Sequence, residues 1–343
     1  MKHPGAILVA ALAMSGCAGS EPVAIAPPIA APAVYATDLP AAGLQEEWWL
    51  GFGDPVLDRL IRRGLEANLD IDAASGRLAA AAALLRAERA DRLPGLDGSA
   101  EIGTTLVGEG EDTAAAGLFA LFEPDLNGRL AAEVRAAVAD YAETNYLLAE
   151  QRRLVAAAIA SQYIEYRRTQ TQLDLLEQST DLQDQTLRIV TLRFEAGLAA
   201  NLDVRRAAAD LAQTRARRGL VEIARANALS ALAILLAEPP GAFAIEPLAD
   251  GSRIPGYGAG PPAGVPADLL RRRTDILAAE ARLARAAAEI GIEQADLRPS
   301  LTIPGEIGIG DGLLSGLFGD FLVGIATAID IPIFDGGRRR AEV

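Results

Sequence analysis

With 343 residues and a formal net charge of −14, the chain has no basic stripe to neutralise phosphates, which excludes nucleic acid as a partner. Half of its residues are apolar but only 5% are aromatic, and alanine is abundant. That balance favours long helices packed through small side chains over a thick globular core, and the length suggests about two domains.

Lys2 and His3 form a short positive region, and Ala6 to Met14 an apolar one too short to span a bilayer. The stretch ends in Met14-Ser15-Gly16-Cys17, which resembles a bacterial lipoprotein signal, although Met14 stands where such signals usually have Leu, Val or Ile. Residues 1–16 are therefore expected to be a signal peptide, with Cys17 as the lipid attachment site. An ordinary secretory peptide cut elsewhere is the alternative. Ala18 follows the cysteine, where an Asp would argue for retention at the inner membrane. Several acyl chains on Cys17 suffice for stable anchoring. Cleavage there removes His3, the only histidine, and commits the only cysteine to lipid. Ser-His-Asp and Cys-His catalysis, imidazole or thiolate metal sites and disulfides then drop out by inventory. The 46 acids read as solvated helical faces. No enzyme activity, cofactor or metal is expected.

Residues 17–42, with Pro22, Pro27, Pro28, Pro32 and Pro40, read as an extended tether. Trp48-Trp49 and Phe52-Gly53-Asp54-Pro55 follow, Asp54 and Pro55 suiting the N-cap and first position of a helix from about Val56 to Arg92. That helix is expected to break near Asn68-Leu69-Asp70 and to end at Pro94-Gly95. Residues 96–124 read as a short β-hairpin with a polar turn at Gly108 to Asp112 and a weak strand pattern; Pro124 suits only a strand end. Arg129 to Ala196 contains neither Gly nor Pro, so one helix about 100 Å long is permitted. Leu173, Leu176, Leu187, Val190 and Phe194 mark one seam along it, and Leu175, Leu182 and Ile189 a second, so neighbours are expected on two sides. Gly197-Leu198 breaks the run. Gly197 reads as a C-cap glycine and Asp203 as the N-cap of a helix returning to Glu238.

A Gly- and Pro-rich bridge leads to a second copy of the first helix. Asp70-Ile71 returns as Asp275-Ile276, Arg77-Leu78 as Arg282-Leu283 and Pro94 as Pro299, each 205 positions later. Gly128-Arg129 returns as Gly337-Arg338 after an offset change of four. Residues 43–250 thus form a first repeat and residues 251–343 a linker and an incomplete second one, with a helix at 266–297 and a hairpin at 299–334. From Val323 to Ile333, apolar residues alternate with small or polar ones. Val323, Ile325, Ile329 and Ile331 share one face, with Thr327 and Ile333. The pattern suits a tilted transmembrane strand or a half-buried strand in a soluble sheet.

Arg193-Phe194-Glu195-Ala196-Gly197-Leu198, Leu202-Asp203-Val204, Val265 to Arg273, Pro299-Ser300-Leu301 and Pro332 to Arg338 complete an ordered set with the Trp48 to Pro55 segment. Together they resemble the outer-membrane efflux channel family, the TolC-like proteins, and within it the OprM- and NodT-type lipoproteins. The resemblance covers essentially the whole chain. It implies a mainly α protein with transmembrane β-hairpins: a duplicated long-helix α-barrel plus a β-barrel to which each protomer of a homotrimer gives four strands. It implies no cofactor, an adaptor protein and an inner-membrane RND transporter as partners, and a place in the outer membrane of a Gram-negative bacterium, reaching into the periplasm. Gly197, Leu198 and Asp203 would belong to the tip that meets the adaptor, Asp203 matching an acid implicated in holding the aperture closed. Phe122-Glu123-Pro124-Asp125-Leu126-Asn127-Gly128-Arg129 departs from the usual family wording, and a second helical pair is expected beyond Val343.

The leading expectation is passive export of drugs or other small molecules through a trimeric conduit. A lipid-anchored periplasmic coiled-coil scaffold without a pore, or a truncated and non-functional channel, are the alternatives.

Overall fold

The computed structural model describes residues 47–103, 113–245, 254–257, 272–309 and 321–343. Cys17, the tether, the hairpin turn at 108–112 and most of the bridge lie outside them. The chain divides into two compact units, one built from Arg77–Tyr146 and Thr274–Val343, the other from Leu147–Arg273 and the residues up to Gly76.

The second unit is helical. A 3-10 turn, Trp48–Phe52, precedes α1, Pro55–Ala67. Gly53 turns the chain between them with φ of +61°, which favours glycine. Asp54 caps α1 as its side chain predicts: Oδ1 accepts from Val56 N at 2.8 Å and Leu57 N at 3.1 Å. Its Oδ2 accepts from the Tyr163 hydroxyl at 2.8 Å, so one carboxylate starts α1 and ties it to the long helix. Burial, then the bond to Asp54, pushes the Tyr163 phenol up. The expected break falls at Asn68, whose extended backbone ends α1 and whose Oδ1 caps α2, Leu69–Ala90, through Asp70 N and Ile71 N. Leu57, Ile61, Ile159, Tyr163, Leu232 and Leu236 are fully buried and form the centre of the core. A side chain at Gly64 would run into Ile159, which explains a glycine inside α1.

The long helix α3, Arg129–Glu195, spans 67 residues without interruption, and α4, Asn201–Leu235, returns along it. Of the first seam Leu173, Leu176, Leu187 and Val190 are half-buried and Phe194, near the end of α3, is exposed; Leu175, Leu182 and Ile189 of the second are all exposed. The return helix stops at Leu235, three residues short of the expected Glu238, because Ala237 takes a left-handed φ of 56° and Glu238 N closes the end on Ala233 O.

In the first unit α5, Thr274–Ala295, packs on the start of α3. The expected helix began at 266; residues 258–271 lie outside the described ones, and Arg273 is not helical. The contact is made by small residues: Ala278, Ala281, Ala288 and Ala295 are buried on α5, Ala132 and Ala139 on α3, and Gly291 faces Ala132. Arg282 Nε meets Glu143 at 2.8 Å and Arg285 Nη1 meets Asp140 at 2.7 Å across it. Asn127 starts α3 and also donates to Ala295 O at 3.3 Å.

The same unit holds an antiparallel sheet of β1 (Gly95–Gly103), β2 (Thr113–Phe122), β3 (Ser300–Ile309), β4 (Phe321–Ile325) and β5 (Ala328–Asp330), in the order β1-β2-β3-β4 with β5 also on β3. The described strands of the first hairpin have nine and ten residues. Pro124 falls beyond β2, where its missing N–H costs nothing. The strand expected to run unbroken from Val323 to Ile333 is interrupted. Gly305 pairs with Ile325 and Thr302 with Ala328, a continuous register that sets Pro304 opposite Ala326. Ala326 N donates to Pro304 O at 3.0 Å, but Pro304 has no N–H to return the bond, and the ladder lapses there. Ile331 and Ile333 lie beyond the last pairing. The short α6, Arg338–Glu342, follows. No described helix is long and apolar enough to cross a membrane, a fact that does not bear on the sheet.

Candidate functional site

Adjacent residues in a strand point to opposite faces, and paired residues share a face, so the register sorts the whole sheet. One face carries Leu96, Gly98, Ala100 and Ile102 of β1, and Ala116, Leu118, Ala120 and Phe122 of β2. It continues with Ile303, Gly305, Ile307 and Ile309 of β3 and Val323 and Ile325 of β4. None of these side chains is polar. Ile329 of β5, paired with Leu301, extends the same face. Ile325 is 81% exposed, and Val323, Ile329 and Ile331 are exposed too, as are Ala326, Ala328 and Asp330 of the other face.

The opposite face is acidic. Asp97, Ser99 and Glu101 of β1, Thr302 and Glu306 of β3 and Asp330 of β5 lie on it, and the described strands contain no Lys or Arg. Glu306 lies across Gly324: a Cβ at Gly324 would come within 3.0 Å of its Oε1, so the small residue makes room for the carboxylate. Phe119 pairs with both Asp97 and Glu306, placing one half-exposed ring between two acids. Single-segment periodicity did not reveal this separation in the first hairpin, because small residues there blur the apolar–polar contrast. The signal that could have found it is the complete absence of basic residues from the strand segments.

Where strand passes into helix, Arg129 Nη2 bonds both Glu123 oxygens at 2.8 Å and Nη1 bonds Glu133 at 2.6 Å. Burial pushes the Glu133 carboxyl up, against the pull of Arg129. Arg298, Arg338, Arg339, Asp296, Asp330 and Glu342 line the same polar cavity of about 390 Å³. Asp335 accepts from Gly337 N and Arg339 N, which holds its carboxyl below the usual range.

At the far end of α3, Gly197 has φ of +72°. Its N–H bonds Phe194 O at 2.9 Å while Leu198 N bonds Arg193 O at 2.8 Å, the paired bonds of a Schellman ending. Leu198 is 78% exposed at the turn. Asp203 is not the N-cap: Ala200 holds that position, and Asp203, three residues into α4, reaches back with Oδ2 to Ala200 N at 3.3 Å. Alanine has no side-chain acceptor, so this is half a capping box. Gln183, Thr186 and Val190 of α3 and Arg206 and Asp210 of α4 surround Asp203 in a groove. Cys17 lies outside the described residues.

The model of the family described as outer membrane efflux protein matches residues 60–238 and 265–343. The chain belongs to this family. Its members are outer-membrane efflux channels, passive transporters rather than enzymes, which agrees with the reading of the residue inventory. The chain is 31% identical to the pyoverdine export outer membrane protein OpmQ of Pseudomonas aeruginosa, over 98% of this chain and 74% of that protein. It is 30% identical to nodulation protein T of Rhizobium leguminosarum bv. trifolii, over 86% of this chain but 65% of that one. The solved outer-membrane channel OprN superposes with a TM-score of 0.82 at 28% identity, covering 95% of this chain and 75% of that one. The TolC-like architecture expected from the ordered motifs is therefore the architecture found, with a partial sheet. The chain spans about two thirds to three quarters of these relatives' lengths.

Proposed function

We propose that this chain is the outer-membrane conduit of a tripartite export system for small molecules. Three copies close their sheets into one barrel, apolar face to lipid and acidic face to water, with Val323, Ile325, Ile329 and Ile331 on the outside. Closure pairs the edge strands, which lipid demands of any spanning sheet. Cys17 carries the lipid anchor. Gly197, Leu198 and Asp203 form a periplasmic tip that meets an adaptor protein, and an inner-membrane RND transporter drives the flow. The observation that carries this reading is that every acid of the described strands lies on one face, which also holds Phe119 and Leu121, while the other face of those strands carries only apolar side chains. Strands of nine and ten residues rise about 30 Å, or about 23 Å when tilted by about 40°, close to the apolar band of a transmembrane barrel. A scaffold without a pore would have no use for such a sheet.

Single cysteines test it, in cells, at Ile325 and Val323 on one face and at Asp97 and Glu306 on the other. The first pair is expected to react only with lipid-soluble thiol reagents, the second with water-soluble ones. Equal reaction of both faces with a water-soluble reagent would refute the barrel.

A further inference from the structure

The apolar face of the sheet is not evenly filled. On β1, Gly98 and Ala100 stand between the larger Leu96 and Ile102, and on β2 Ala116 lies beside Ala100. With Leu118, Ile307 and Ile309 as walls, these small residues outline a groove of about 460 Å³. Its floor is the strand backbone at Ser99, Gly117 and Gly308, whose side-chain positions belong to the opposite face. The Ser99 hydroxyl confirms this, lying 4.0 Å from where a Gly117 side chain would begin on the acidic side. Ser99 pairs with Gly117 and Gly308 with Leu322, and closing the barrel occupies the free edge of β1 at Gly98 and Ala100, so the groove in the closed barrel offers an occupant neither donor nor acceptor. Only hydrocarbon contact and shape remain.

That chemistry decides the occupant. A soluble protein segment would need polar partners at the rim, and the side chains that line the groove on this face, those of Ala100, Ala116, Leu118, Ile307 and Ile309, bring none; Thr327, which the register sets opposite Ile303 on the same face, lies outside the groove. The groove is also continuous with Leu118, Ile307, Val323 and Ile325, the surface assigned above to lipid. We propose that it seats one acyl chain of an outer-membrane lipid, held more tightly than the lipids that only surround the barrel. This rests on the membrane reading above. The seat exists because the first hairpin is built from Gly and Ala where β3 and β4 carry Ile and Val, so one stretch of the barrel wall is thinner by a layer of side chains.

Mass spectrometry of the intact full chain, extracted from outer membranes in mild detergent, tests the proposal. The wild type is expected to carry one dissociable lipid per protomer after the bulk lipid has been washed away. Covalent acyl groups on Cys17 stay with the polypeptide mass and are not counted. The double substitution Ala100→Leu with Ala116→Leu fills the groove yet keeps the face apolar; it should cut retained lipid on the order of tenfold, as expected for lost contact with a few methylene groups. Ser99→Ala, on the acidic face, should leave retention unchanged. Undiminished retention in the filled variant, equal loss with Ser99→Ala, or a wild type carrying no dissociable lipid would each overturn the proposal. Failure of the wild type to fractionate with outer membranes would instead overturn the membrane reading beneath it.

Discussion

Two places where described helices pack in this protein are built on opposite plans. Around α1 the core is filled by large side chains: Leu57, Ile61, Ile159, Tyr163, Leu232 and Leu236, with Trp49 and Phe243 at its margin. Between α5 and the start of α3 the buried residues are almost all alanine, and Arg282–Glu143 and Arg285–Asp140 flank them. In the first, stability comes from apolar area removed from water. In the second, it comes from close backbone approach, with little side-chain area to lose. The two therefore fail in opposite ways: the large core through removed volume, the alanine contact through added volume.

The largest effect is expected from Ile159→Ala, which opens a cavity beneath Gly64 and should cost about 4 kcal/mol. Urea unfolding of the detergent-solubilised chain should show a lower midpoint with an unchanged slope. Ala278→Leu in the alanine contact should cost about 2 kcal/mol by overpacking, although it adds apolar surface. The complementary change Ala278→Gly should cost about 1 kcal/mol, mostly through helix propensity. If Ile159→Ala proves mild, or if Ala278→Leu is tolerated as well as Ala278→Gly, the contrast between the two plans collapses.

Much of this plan was legible in the sequence, for identifiable reasons. Local chemistry read well where one side chain dictates one backbone event: Asp54 and Pro55 start α1, Asn68 divides it from α2, and Gly197 ends α3. The uninterrupted α3 followed from the absence of Gly and Pro. Reading failed where the deciding partner lay on another strand or turn. Pro304 interrupts β4 from β5 only because register sets it opposite Ala326, and nothing within Val323 to Ile333 announces that. Asp203 was assigned the N-cap because its type favours that place, yet Ala200 occupies it and Asp203 acts three residues on. The acidic face was missed because Asp97 and Glu306 belong to different repeats and meet only through β2. Cys17 stands on its signal pattern.

The smallest expected effect tests whether exposed ion pairs matter to either plan. Arg168 grips Glu165 through two bonds, Nε at 2.7 Å and Nη2 at 2.6 Å, and the hydrogen bond to Arg168 draws the Glu165 carboxyl below its ordinary value. Both side chains are well exposed, so water and salt screen the pair, and it should contribute at most about 0.5 kcal/mol. Because the folded-state carboxyl is the more acidic one, that contribution is complete above the ordinary glutamate pKa and is lost as pH falls through the lowered folded value. Glu165→Gln should therefore shift the urea midpoint slightly at pH 7 in low salt, and not at all in molar salt or at a pH below the folded value. A large shift that survives molar salt would mean that the pair is shielded from solvent, so that charge pairing joins large-residue burial in holding this unit together.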